Sequence, residues 1–142
     1  MNSKSVVRAL AAAAALTTLA GRVLAAEPAL SIELNKLEEI DGKCQASLVI
    51  DNRLGHALDR FNIDLFVFDR AGVIAHRVLV DLAPLRDDKT TVATFALVEG
   101  PCSGVGRVLV NDIPTCRGES GVDLDCVAAL AVSSRAETPL AK

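Results

Sequence analysis

The sequence predicts an all-β protein, a single antiparallel β-sandwich of immunoglobulin-like type with about seven short strands and two disulfides, a small barrel being the alternative. Three observations predict it. Apolar residues recur at period two along most of the chain, not at the period of a helix. Turn signals containing Gly, Pro or Asp interrupt these stretches at short spacing. The four cysteines lack the C-x-x-C of a redox helix and the close Cys/His pairs of structural zinc, which leaves disulfides as their natural role.

The chain opens with a segment of different character. Lys4 and Arg8 form a basic start, residues 9–20 are an unbroken apolar and small-residue run, and Val23-Leu24-Ala25-Ala26 offers small residues before Glu27-Pro28. That order predicts a secretory signal peptide over residues 1–26, cut after Ala25 or Ala26. A membrane anchor needs about 20 apolar residues, and Arg22 ends this run first. No Cys lies near the cut to take a lipid. The segment carries Lys4, Arg8 and Arg22 and no acid, so its removal takes the formal charge from -3 to -6. An acidic surface gains nothing from counterion release on nucleic acid and is repelled by anionic lipid. A soluble exported protein with one domain, residues 27–133, is expected.

In that domain Leu30, Ile32 and Leu34 alternate with Ser31, Glu33 and Asn35 to give the first strand, followed by a weak helical signal over residues 36–39. Asp41-Gly42 marks a turn. Cys44, Ala46, Leu48 and Ile50 then share one face of the second strand. After a loop containing Gly55 comes the stretch that organises the rest: two Val/Ile/Phe-rich runs within residues 58–82, split by Asp69-Arg70-Ala71-Gly72. Gly72 can adopt the positive φ that such a hairpin turn requires. Residues 83–88, with Pro84, read as loop, and residues 90–97 and 105–113 as the next strands. Gly118 to Gly121 turns the chain into a last strand at residues 126–132. The tail, residues 134–142, is polar, contains Pro139, and is expected to fray.

Four thiols allow three pairings, and the strand order selects one. The second strand should pair antiparallel with the strand ending near Leu97, which returns Cys102 beside Cys44. If the last two strands form a hairpin, Cys116 and Cys126 meet across its mouth. The other pairings join opposite strand ends, roughly 30 Å apart at about 3.3 Å per residue, whereas a disulfide needs Cα atoms within about 7 Å. Cys44–Cys102 and Cys116–Cys126 are therefore expected.

Candidate chemistry is sparse. His56 sits in a loop and His76 in mid-strand, and no G-x-S-x-G elbow surrounds Ser47, Ser103 or Ser120 to begin a triad. Asp87-Asp88 and the group Asp112, Asp123 and Asp125 lack the calcium-loop pattern and read as solvated turns. No cofactor is implied. The one suggestive feature is on the strand whose inward residues are Phe61, Ile63, Leu65 and Val67: its other face reads Asn62, Asp64, Phe66, Phe68. A half-buried strand should be polar there, so Phe66 and Phe68 are a candidate partner surface. The competing explanations are a bulge that turns one ring inward, or cover from long stems such as Arg77.

The runs IELNKLE, CQASLVIDNRLGHALDRFNIDLFVFDRAGVIAHRVLVDLAPLRDDKTTVATFAL and GVGRVLVNDIPTC resemble a group of exported bacterial proteins usually labelled "Tat pathway signal sequence domain protein", to which no activity is assigned. The resemblance spans residues 30–134 and is most specific in VFDRAGVIAHR and GRVLVND; the hairpin is also similar to that of FxLYD-type extracellular, immunoglobulin-like sandwich modules. It implies an exported β-domain and carries over no catalytic residue. This chain departs from the label in having a lone Arg8 and no arginine pair, which points to Sec export into the periplasm. The expected function is a non-enzymatic binding or accessory module for another envelope protein. The alternatives are an inhibitor that plugs a periplasmic enzyme with the loop at residues 52–58, and a small envelope hydrolase.

Overall fold

The computed structural model describes residues 25–142, so all but the last two residues of the expected signal peptide lie outside the described residues. Among the described residues eight strands form in chain order: β1 (Leu30–Ile40), β2 (Lys43–Asn52), β3 (Leu58–Asp69), β4 (Ile74–Asp81), β5 (Lys89–Glu99), β6 (Val105–Gly118), β7 (Leu130–Ser134) and β8 (Leu140–Ala141). They build two four-stranded sheets with orders β5-β2-β1-β7 and β4-β3-β6-β8. The inward rows meet in one core. Leu30, Ile32 and Leu34 of β1 and Cys44, Ala46, Leu48 and Ile50 of β2 face Phe61, Ile63, Leu65 and Val67 of β3 and Val105, Val108 and Val110 of β6. The all-β reading holds, and so does the alternation from which it was drawn.

Turn chemistry fixes the register where the sequence placed it. Asp41 and Gly42 both have positive φ, 51° and 73°, as a two-residue type I′ hairpin requires. At the β3–β4 turn Gly72 has φ 82°. The Asp69 carboxylate accepts from the Ala71 and Val73 amides, 2.9 Å each. Gly106 allows that turn to lie against β6, because a Cβ there would overlap the Asp69 carbonyl oxygen.

Five features depart from expectation. The weak helical signal over residues 36–39 is strand: the register shifts between Leu34 and Lys36, so Asn35 is an extra residue that reverses the in–out parity and turns Leu37 toward Ala46. β6 runs past Ile113 to Gly118, because its register against β3 shifts where Pro114 sits, and a bulge tolerates a missing N–H. Cys126–Ala129 is a helical turn, α1, capped by Asp125 accepting from the Ala128 amide, and the strand starts only at Leu130. That strand pairs parallel with β1 in the opposite sheet from β6, so the two do not form a hairpin and the sandwich is not antiparallel throughout. The tail is packed rather than frayed: Thr138 and Leu140 are buried, β8 pairs parallel with β6, and the Ser134 hydroxyl donates to the Thr138 carbonyl at 2.7 Å.

Both disulfides form as paired from sequence. Cys44 in β2 joins Cys102, in a short 3-10 turn (Cys102–Gly104), with Cα atoms 4.7 Å apart. The reason is the one inferred: β2 and β5 are antiparallel, with Cys44 opposite Val98. Cys116–Cys126, 6.2 Å between Cα atoms, closes for a more local reason than the one inferred. The chain turns at Gly118–Val122, and the Leu124 amide donates back to the Cys116 carbonyl at 2.9 Å. Among the described residues the chain crosses between the sheets five times, and the two bridges pin two of these crossings, β5 to β6 and β6 to β7.

Candidate functional site

The outer face of the β4-β3-β6-β8 sheet is assembled from three strands whose registers are fixed. β3 contributes Asn62, Asp64, Phe66 and Phe68. Beside them β4 sets Asp81 against Asn62, Leu79 against Asp64, Arg77 against Phe66 and Ile74 against Phe68. β6 sets Leu109 against Phe66 and Arg107 against Phe68. Sequence reasoning singled out the two phenylalanines. The structure surrounds them with Ile74, Leu79 and Leu109, of which Ile74 is 55% and Leu79 63% exposed. Exposed apolar side chains grouped on one sheet face are uncommon on a body that stands alone.

Neither ring turns inward. β3 has register shifts next to Phe68 on both sides, yet Val67 is 1% exposed while Phe66 and Phe68 remain half-buried on the outside. The covering comes from arginine. The Arg77 guanidinium carbon lies 5.5 Å from the Phe66 ring centre and that of Arg107 lies 4.1 Å from the Phe68 ring centre. Each stack contributes about 0.5–1 kcal/mol at such an exposed site.

Arg77 is held by a second contact that sequence reasoning missed. Asp64 is 2% exposed although it points to the outer face. Arg77 Nε donates to Asp64 Oδ1 at 2.8 Å, Arg77 Nη2 to Oδ2 at 3.1 Å, and Asn111 Nδ2 to Oδ2 at 3.0 Å. The fork contact is bidentate, the strong geometry for this pair. A signal was available: with the turn at residues 69–73, Asp64 and Arg77 fall on one face as diagonal neighbours of opposite charge. The Arg77 hydrogen bonds hold the Asp64 carboxyl below the usual carboxylate range; burial pushes the other way and Asn111 adds to the lowering. Because the folded value is depressed, the stabilisation is complete above the unfolded value of about 3.9 and is lost as pH falls through the folded value. The wild-type protein should therefore lose stability in urea titrations as pH drops below about 4. Asp64→Asn should narrow its deficit relative to wild type over that window, and a deficit constant down to pH about 2 would contradict the assignment. Glu33, lowered chiefly by Asn35, and Asp51, lowered chiefly by Arg53, add to the wild-type slope in both proteins.

The other residues weighed from sequence are dispersed. His76 is exposed on β4, and His56 is exposed in the β2–β3 loop. His56 lines an open, polar hollow with Arg86, Asp87, Glu119 and Ser120 at one end of the sandwich. A second hollow, at the other end, is lined by Lys36, Arg70, Ser103 and Glu137 among others. Among the described residues no three His, Cys, Asp or Glu side chains are grouped as metal ligands, and no helix is long and apolar enough to cross a membrane. The base of the β2–β3 loop is tied by Asn52, which is fully buried. Its amide donates to the His56, Leu85 and Arg86 carbonyls at 2.9, 3.2 and 3.2 Å, and its Oδ1 accepts from the Leu54 amide at 3.2 Å. Comparison with family models, curated proteins and solved structures finds no match to this chain.

Proposed function

We propose that the chain is exported to the periplasm by its N-terminal segment and acts there as a non-enzymatic, immunoglobulin-like binding module. It grips another envelope protein with the outer face around Phe66 and Phe68. Two disulfides fit an oxidising compartment, where thiols are not kept reduced. The observation that carries the reading is the composition of that face. Two phenylalanines, two exposed aliphatics and two arginines meet on one rigid sheet, and aromatic residues and arginine are the types enriched where proteins bind one another. Arg77 shares its charge with Asp64, which leaves the Arg107 guanidinium over Phe68 as the charge this face offers, so a partner with an acidic group beside an apolar centre fits best.

Phe66→Ser and Phe68→Ser are expected to weaken partner binding by about tenfold or more each, read as Kd by titration after capture from periplasmic extract. Circular dichroism and the thermal midpoint should show a folded domain, since both rings lie outside the core. If both variants lose folded protein, the rings are core and the face is not a binding site.

One observation favours a second reading, inhibition of an enzyme by the β2–β3 loop. Asn52 pins that loop, and the Gly55 amide donates to Asp87 Oδ1 at 2.9 Å, so it is pre-ordered as an inhibitory loop must be. Under that reading His56→Ala abolishes partner binding and Phe66→Ser leaves it intact.

A further inference from the structure

We propose that β4 is the seam of a two-fold symmetric dimer, in which β4 strands of two copies pair antiparallel about Leu79 and join the two β4-β3-β6-β8 sheets edge to edge. The inference stands independently of the envelope partner. It rests on the backbone, exposure and charge of one strand.

β4 is the last strand of its sheet, and among the described residues it pairs only with β3. The Leu82 amide donates to the Phe61 carbonyl at 2.8 Å, which fixes the phase of the ladder. By antiparallel alternation, Val80, Val78 and His76 turn their backbone groups toward β3, while Asp81, Leu79 and Arg77 turn theirs to the open side. Natural sheets guard such edges with charged side chains, Lys above all, with Pro, with bulges or with short length, and the charges on this edge, Arg77 and Asp81, are of opposite sign. β4 reads IAHRVLVD over eight residues, with neither Lys nor Pro, and exposes Ile74 and Leu79.

The open edge is complementary to itself. With the two-fold axis at Leu79, Arg77 of each copy lies opposite Asp81 of the other, so one ion pair forms on each side of the axis. The side chains of these residues share the outer face. Arg77 binds Asp64 through Nε and Nη2, which leaves Nη1 for Asp81 of the second copy. Neighbouring registers are worse. An axis at Arg77 or at Asp81 sets like charges opposite each other, and an axis at Val78 or Val80 sets Leu79 against a charged residue. Charge thus selects the Leu79-centred register, and the two-fold operation closes the assembly at two copies. A single seam is small, so the dimer belongs with the weak, exchanging class. It would set the Phe66–Leu79 patches of the two copies side by side, doubling the outer face.

The test uses the oxidised protein at about 10 μM and about 1 mM, a span that brackets a weak dimer. Sedimentation should shift from monomer to dimer. Amide exchange at Arg77, Leu79 and Asp81 should slow by about tenfold on concentration, while the amides of His76, Val78 and Val80, already bonded to β3, stay as they were. Leu79→Lys sets two ammonium groups on the axis and should weaken the dimer by about tenfold or more; the position is 63% exposed, so melting should be unchanged. A monomer at both concentrations, a dimer that Leu79→Lys leaves intact, or new protection on β5 instead of β4 would each overturn the proposal.

Discussion

Replacing Cys44 and Cys102 together by alanine is expected to cost about 4 kcal/mol of stability, measured by urea unfolding of the oxidised protein. The bridge closes a chain separation of 58 residues, and in the chain-entropy view such a loop restricts the unfolded state strongly. The same double replacement at Cys116 and Cys126, separated by 10 residues, should cost about 3 kcal/mol. Against a total of about 5–15 kcal/mol for a domain of this size, either loss is severe. Position adds to the arithmetic. Each bridge sits at one of the five crossings between the sheets, so its removal frees that crossing as well as the ends of a loop. Alanine is the right replacement because Cys44 is fully buried and Cys126 nearly so, and a serine hydroxyl there would need a partner. A loss under about 1 kcal/mol for the longer bridge would show that strand pairing alone holds the crossover.

The second large effect is expected at Asn52. Asn52→Leu keeps the volume near the original and removes every polar contact. It takes the acceptor from the Leu54 amide and a donor from each of the His56 and Arg86 carbonyls, while the Leu85 carbonyl keeps only the Leu58 amide, at 2.8 Å. At about 1–3 kcal/mol for a buried group left unpaired, the total should come to about 3 kcal/mol after partial relaxation. The damage should be local in character. Asn52 ties the β2–β3 loop to the β4–β5 loop, so amide exchange should accelerate at Leu54 and Gly55 before it does so in β3 or β6. A global loss below about 1 kcal/mol, with loop exchange unchanged, would mean the buried amide is replaceable by apolar packing.

The elements that could be read from sequence are those where local chemistry and the final fold agree. β2 alternates cleanly because one face meets the core along its whole length, and its cysteine therefore announced its neighbour. The β3–β4 turn was legible because Asp69 and Gly72 are both required by its geometry. What was not legible depends on contacts distant in sequence. A bulge at Asn35 shifts parity by one, so NKLEE loses its period-two pattern although the chain remains strand. Residues 126–129 carry small apolar residues that suit a strand, but the Asp125 cap and the bond to Cys116 make a helical turn there. The tail looked loose because its polarity is real; Leu140 and the Ser134 hydroxyl are what bind it to β6 and to itself. At the candidate face Phe66 and Phe68 were visible as a break in alternation. Asp64 was passed over because a single acid on an outward row is ordinary until its burial is known.

The outer face of the β4-β3-β6-β8 sheet is the part of the molecule on which the functional reading rests. A photo-crosslinking residue placed at Leu79, and separately at Val92 on the β5-β2-β1-β7 sheet, tests it most directly, because both positions are well exposed, at 63% and 65%. In the periplasm, the probe at Leu79 should yield a discrete adduct with another envelope protein that disappears when Phe66→Ser is added, and the probe at Val92 should yield none. An adduct from Val92 alone, or one from Leu79 that persists in the Phe66→Ser background, would contradict the account.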